Sequence, residues 1–452
     1  MTLSFKIILL AKGAYSEKAF PNSRNNGLFQ QRQDFYSWRP LIVGSIFHHL
    51  KFLCYFHRCP EITCDGGSQA YAQFRDHQSD PFPIWVDLRY LVSPRTFSDY
   101  FKLIYNNETR KTEDNDKAII TFPGWGETWA VDNLDSRPHS VTKYFEDVTA
   151  AFIQNPYYVK NFTIRGAPFD FRKAPNENVD FVPKMKALVE ATFINGQNQK
   201  VVLLAHSMGS LYCLHFLNRQ TDTWKRKYIK AFISASAPLG GSIKALKIEA
   251  SGDNFGIYFD SPLWYREVQR SMPSLAFLLP DPQLWSPSEV VISTPTKNYT
   301  VHDYKEFFND IGFPEGYQMY EDTKATVNPF VPPSGLDEIY CIYSSAVQTP
   351  GSMLYASTFP DAQPTIDYEP DGDGTVNVRS LAVCQSWTGV VKVNTLVFPG
   401  VSHLSIVLDP RFIKAVKEIA NADKLLPMRG SLWQSMLHSL GWKFWPSLSP
   451  NS

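Results

Sequence analysis

Ser207 stands in the middle of Lys200–Leu217, KVVLLAHSMGSLYCLHFL, whose two halves repeat with different periods. Val201 to Ala205 is a short, continuously apolar and β-branched run of the kind that fills a central parallel strand. After it, Leu211, Leu214, Phe216 and Leu217 recur at helical spacing, so a strand feeds directly into a helix with the serine at the corner. Such a corner crowds the serine with backbone and demands small residues two before and two after it. Ala205 and Gly209 meet that demand, with Ala where Gly is more usual. A serine held this way is a nucleophile; it needs a base, and the base needs a carboxylate to fix its tautomer and offset the imidazolium charge. The competing reading, a serine that only caps a helix, leaves the strand before it unexplained.

In a fold with this strand, turn and helix the three groups come in the order Ser, Asp, His, each after a late strand. Of ten histidines, only His403 and His438 follow the last expected strands. His403 lies in Phe398-Pro-Gly-Val-Ser-His-Leu, a strand end turning through Pro-Gly toward the sheet edge expected to hold Ser207; His438 falls in the C-terminal tail. The acid comes from Asp371-Gly-Asp-Gly-Thr-Val. Asp373 is expected, because glycine on either side permits a tight turn, and Asp371 is the alternative. The loop lacks the twelve-residue spacing of an EF-hand calcium site. An oxyanion hole requires two N–H donors. One is the amide of Met208, next after the nucleophile; for the other, Gly124-Trp125 and Asp65-Gly66 compete.

The elements that must carry these residues alternate strand and helix. Ala118–Phe122 reads as a strand entering the turn Pro123–Gly126, Val141–Ile153 as a helix, Phe162–Pro168 as a strand and turn, and Phe181–Phe193 as a helix. Strands follow at Ala231–Ala237, Ile339–Ser344 and Thr395–Pro399, and an amphipathic helix at Phe412–Ala420. This alternation predicts an α/β class with a doubly wound sheet, and open sheets of that kind bind ligands beyond the carboxyl ends of their strands. From about 243 to 335 the pattern loosens into an insertion rich in Pro, Trp, Phe and Tyr, expected to cap the site. Phe82–Leu91 reads as part of a lid or a buried helix. Residues 1–64 have no clear period and are left unassigned, and the tail from about 424 holds Trp433, Trp442, Phe444 and Trp445.

Composition narrows the partners. The chain has 452 residues, 44% of them apolar and 19% charged, with Lys plus Arg equal to Asp plus Glu at 44 each. That balance gives no footprint for nucleic acid and no polybasic membrane signal. Aromatics reach 14%, which suits apolar ligands as well as a large core. No run of 18 apolar residues exists, so no membrane span is expected. The six cysteines, at 54, 59, 64, 213, 341 and 384, match no zinc spacing, and no metal or cofactor is expected. Sequons at Asn107, Asn161 and Asn298 fit a secretory route. The N-terminal Ile-Ile-Leu-Leu-Ala is short for the apolar part of a signal peptide, and Lys12 truncates it.

Ala205–Gly209, together with Phe122-Pro-Gly-Trp-Gly-Glu-Thr, Arg165-Gly-Ala-Pro-Phe-Asp-Phe-Arg172, Ala250-Ser-Gly-Asp-Asn254 and Asp371–Val376, resembles the lecithin-cholesterol acyltransferase family, nearest its lysosomal phospholipase A and acyltransferase branch. The likeness spans roughly residues 65–423, excludes residues 1–64, and implies an α/β-hydrolase core with a lid around 70–100 and a membrane-binding cap around 243–335. Carried over by position, it implies Ser207 as nucleophile, Asp373 as acid, His403 as base, and the amides of Met208 and Asp65 as oxyanion donors. The family's Val-Pro-Gly-x-x-Gly loop corresponds to Ile62–Gly67, where Thr63-Cys64 replace Pro-Gly and put strain on the donor turn. Cys341 and Cys384 match a family disulfide, which requires an oxidising compartment, whereas no cysteine stands between 65 and 212 for the lid disulfide. Trp85 and Trp125 are the candidate lipid contacts. The resemblance further implies a monomer that works at a phospholipid membrane or lipoprotein surface with a lipophilic alcohol as acceptor, in a lysosomal or secreted setting. A general lipase or carboxylesterase, and a catalytically impaired lipid-binding homologue, are the alternatives.

Overall fold

The computed structural model describes residues 5–10, 67–85, 87, 90, 93–135, 142–257 and 260–422. At its centre is a six-stranded sheet built from β1 (Phe5–Leu10), β2 (Ile164–Gly166), β3 (Val201–Ser207), β4 (Ile229–Ala235), β5 (Glu338–Ser345) and β6 (Lys392–Pro399), in the spatial order β6-β5-β4-β3-β1-β2. β3 to β6 are parallel neighbours, with Ala205 opposite Ser234 and Cys341 opposite Thr395. β3 is buried along its whole length, as its unbroken apolar run requires of a strand covered on both faces.

One strand runs against the others. β1 pairs antiparallel with β3, Phe5 opposite Ser207 and Leu10 opposite Val202, and with β2 on its other side. β1 lies within residues 1–64, to which the sequence assigns no element, and the other residues of that segment lie outside the described ones. The apolar residues Ile7–Leu10, which follow Lys6 in this strand, suit a strand as well as a signal-peptide core, and period alone does not separate the two. Asp65, Gly66, His438 and the rest of the C-terminal tail from Asp423 lie outside the described residues.

Helices α1 (Glu146–Ile153), α2 (Phe181–Asn195), α3 (Met208–Leu217), α4 (Ile243–Ser251) and α5 (Pro410–Ala420) surround the sheet. The expected start of α1 at Val141 is too early. The backbone of 142–144 is committed elsewhere: Leu134 donates to the Thr142 carbonyl and Tyr144 to that of Asp132, so no helical turn can form before Glu146. α5 begins where Asp409 accepts the Arg411 N–H and Pro410 occupies the first turn.

Residues 243–335 are more regular than their sequence pattern. Beyond α4 they hold short helices at Arg266–Arg270, Pro273–Phe277, Tyr304–Asp310 and Pro314–Lys324. Their brevity, and Pro at the start of two of them, hides the 3.6-residue period. The segment Phe82–Leu91 contributes Phe82–Pro83 to a three-stranded antiparallel sheet with Tyr71–Phe74 and Ala118–Thr121, followed by a helix at Pro94–Phe101. No helix of the described residues is long and apolar enough to cross a membrane.

Candidate active site

Ser207 ends β3 with φ 55° and ψ −135°, a left-handed conformation rare for a residue with a side chain, and α3 begins at the next residue. That strain is imposed by the strand before it and the helix after it, both buried throughout. The serine Oγ meets His403 Nε2 at 2.9 Å, and His403 Nδ1 meets Asp373 Oδ2 at 2.6 Å. All three side chains are buried. The row runs across the carboxyl edge of the parallel strands, where an open α/β sheet gathers its loops.

Backbone bonds fix the two loops that carry Asp373 and His403. Asp373 Oδ1 accepts the N–H groups of Thr375 and Val376, which leaves Oδ2 for the imidazole. A Cβ on Gly372 would stand 2.3 Å from Thr349 Oγ1, so the turn before Asp373 needs glycine. The His403 N–H donates to the Asp373 carbonyl at 2.8 Å, tying one loop to the other. Gly400 turns the chain out of β6 with φ +74° and donates to the Ser345 carbonyl at the end of β5. Asp371, the alternative acid, is exposed and accepts the Ala346 N–H at 2.8 Å, away from the imidazole.

The other sequence candidates fall in different places. The Met208 amide opens α3 directly beside Ser207. Trp125 is half-buried in the turn after the Ala118–Thr121 strand, edge-on to Phe181 at 5.9 Å. Trp85 is buried in an aromatic cluster, stacked on Phe101 at 5.7 Å and edge-on to Phe255 at 5.5 Å. Asn107, Asn161 and Asn298 are all exposed, and Asn161 Oδ1 accepts the Thr128 N–H. Cys341 on β5 is bonded to Cys384, with their Cα atoms 5.9 Å apart. Cys213 is free and buried on α3, where burial holds its thiol far above the ordinary range.

Two residues at the site carry no signal in the motif reading. His206 Nδ1 meets the Tyr144 hydroxyl and His206 Nε2 meets the His403 carbonyl at 2.8 Å. Both side chains are buried. His206 is the free position of the elbow pattern, and its partners are 62 and 197 residues away in the chain.

Residues 82–328 match the family model described as lecithin:cholesterol acyltransferase. This chain belongs to that family. Its α/β-hydrolase architecture accounts for the parallel strands β3 to β6 and the residues gathered at their carboxyl edge. Among similar proteins, the lysosomal phospholipase A and acyltransferase of Homo sapiens is 40% identical over 342 residues, covering 75% of this chain and 82% of that one. The protein of the same name from Canis lupus familiaris is 39% identical over the same shares of the two chains. The phosphatidylcholine-sterol acyltransferase of Gallus gallus is 37% identical, over 73% of this family member and 79% of that protein.

Proposed function

We propose that this chain is a serine-dependent phospholipase A and O-acyltransferase acting on glycerophospholipids. The hydrogen-bonded row from Ser207 Oγ through His403 to Asp373 carries the reading. His403 Nε2 takes the Ser207 proton as Oγ attacks the ester carbonyl of a fatty-acyl chain, and Asp373 stabilises the imidazolium that forms. The tetrahedral oxyanion rests on the amide of Met208 and on a second donor, assigned through the family motif to Asp65. His403 returns the proton to the leaving oxygen, lysophospholipid departs, and Ser207 is left acylated. Water then releases a fatty acid, or a lipophilic alcohol attacks through its hydroxyl and leaves as the ester, with His403 again the base.

Ser207 is fully buried, so an acyl chain reaches it only when covering segments move. Residues 70–100 act in this reading as the lid and residues 243–335 as the cap. Their joint is the cluster in which Trp85 of the lid meets Phe255 of the cap. Trp85 then contacts lipid only after opening, and exclusion of water by this aromatic wall favours transfer over hydrolysis. Trp125 contributes at the rim. The enzyme works as a monomer at a phospholipid membrane or lipoprotein surface. Its disulfide and the sequons at Asn107, Asn161 and Asn298 fit a lysosomal or secreted setting.

The test is mass spectrometry of the products formed from phosphatidylcholine vesicles that contain a lipophilic alcohol, near pH 5 and pH 7, with Ser207→Ala as control. Lysophospholipid plus acylated alcohol, both dependent on Ser207, is the expected result. Free fatty acid alone reduces the function to a phospholipase. Hydrolysis of a soluble short-chain ester, with phospholipid left intact, assigns a general esterase.

A further inference from the structure

The imidazole of His206 has its two ring nitrogens committed to different partners. A carbonyl only accepts, so the Nε2 that meets the His403 carbonyl carries the hydrogen. In the neutral ring Nδ1 is then the acceptor, and the Tyr144 hydroxyl donates to it at 2.5 Å. The His206 ring also packs against that of His403, with centroids 4.9 Å apart. Tyr144 is itself fixed from the backbone, by its N–H on the Asp132 carbonyl, and by an edge-on contact with Phe145.

These contacts close a loop through the reacting atoms. From Ser207 the chain steps back one residue to His206, whose side chain grips the main chain of His403, whose own side chain returns to Ser207 Oγ. The distance between nucleophile and base is thereby set by the residue adjoining the nucleophile. The other main-chain ties near His403 approach from Asp373 and, through Gly400, from Ser345, whereas His206 links the main chain of the base loop to the elbow strand.

We infer that His206 is a positioning residue for the Ser207–His403 pair, with Tyr144 holding its tautomer and orientation. The inference rests on the reading of Ser207 as nucleophile and His403 as base. His206 touches neither the substrate nor the transferred proton. It acts by keeping His403 Nε2 within reach of Oγ, and displacement of a reacting group by about 1 Å costs up to roughly 100-fold in rate.

A fluorophosphonate reads this alignment without any lipid. Ser207 Oγ forms a bond to phosphorus, fluoride leaves, and the serine proton passes to His403. The informative pair is His206→Gln, whose side-chain amide retains a donor for the carbonyl, and His206→Met, of similar bulk with none. The inactivation rate constant of the Met variant is expected to fall roughly 10- to 100-fold while Gln recovers most of the rate, with thermal melting verifying that both fold. Tyr144→Phe is expected to lose about 3- to 10-fold. On a soluble ester the loss should appear in kcat and leave KM nearly unchanged. Equal rates for folded Gln and Met variants overturn the inference. If the Met variant does not fold, an unchanged rate in Tyr144→Phe overturns it. Failure of the unaltered protein to label on Ser207 instead removes the underlying triad reading, a result distinct from either.

Discussion

The Ser207–His403–Asp373 row and the Arg172–Asp170–Asp114 cluster are both polar groups enclosed by an aromatic-rich core, and they use their bonds in opposite ways. Arg172 uses all three of its nitrogens: Nε and one terminal nitrogen grip the two oxygens of Asp170, the same nitrogen reaches Asp114 Oδ1 at 2.8 Å, and the other donates to the Phe101 carbonyl. Its guanidinium also lies 5.1 Å from the centre of the Phe101 ring and 5.7 Å from that of Phe122. The triad ends instead on Ser207, a residue in a left-handed conformation whose Oγ is the terminal atom of the chain of bonds. One cluster holds fixed charge in balance and joins the segments around residues 101, 114 and 170. In the proposed mechanism the other lets a proton move and a charge appear. Burial alone therefore does not separate the two clusters; the left-handed serine at the end of one of them does.

Breaking each cluster separates the two roles. The largest effect falls on chemistry: Asp373→Asn should lower kcat by about 10⁴-fold by leaving the imidazole in the wrong tautomer, with little change in melting temperature, as ester kinetics and calorimetry on the same sample would reveal. Arg172→Leu should do the reverse. It leaves Asp170 and Asp114 enclosed without their partner, a loss of about 3–5 kcal/mol in denaturant titrations, while kcat per folded molecule stays near that of the parent. Equal effects of the two variants on both readouts would remove the distinction.

Two smaller effects sharpen it. Replacing Cys341 and Cys384 by Ala opens a loop of sequence separation 43, worth up to about 4 kcal/mol in the chain-entropy account, measurable as a lowered denaturation midpoint. Glu249 is a buried acid of yet another kind. Arg270 spends its Nε on the Glu249 main-chain carbonyl, and the carboxyl Oε2 has no hydrogen-bond partner among the described residues. Burial outweighs the nearby Arg270 charge and pushes this carboxyl up to about 8. Because the folded state holds the proton more tightly than the unfolded chain, Glu249 favours folding most below about pH 4.5, and that contribution is lost progressively as pH rises to about 8. Glu249→Gln should flatten the fall in melting temperature across that window, and an unchanged profile would count against the assignment.

The three residues of the Ser207–His403–Asp373 row could be picked out in the sequence because each announces itself locally: an apolar strand before Ser207, glycine on both sides of Asp373, Pro-Gly before His403. The sheet could be read for the same reason, from short apolar runs between helical periods. Arg172, Asp114 and the His206–Tyr144 pair could not, because their partners come from distant segments and no local period encodes which pairs will meet. His206 is further hidden by its place inside a motif in which it is the free position. The strand Phe5–Leu10 escaped because the short apolar run Ile7–Leu10 inside it fits two fates, and its antiparallel pairing leaves no trace in composition. Trp85 is hidden in the same way: its neighbours Phe97, Phe101, Phe171 and Phe255 come from separate segments that its residue type does not specify.

The central claim is that Ser207 carries the acyl group between donor and acceptor. Rapid acid quench of the protein mixed with phosphatidylcholine vesicles, followed by peptide mass spectrometry, measures that directly. The account predicts a fatty-acyl mass increment on the peptide containing Ser207, absent in Ser207→Ala and diminished when acceptor alcohol is added. Product formation with no acylated Ser207 peptide, or with the acyl group on another residue, would contradict it.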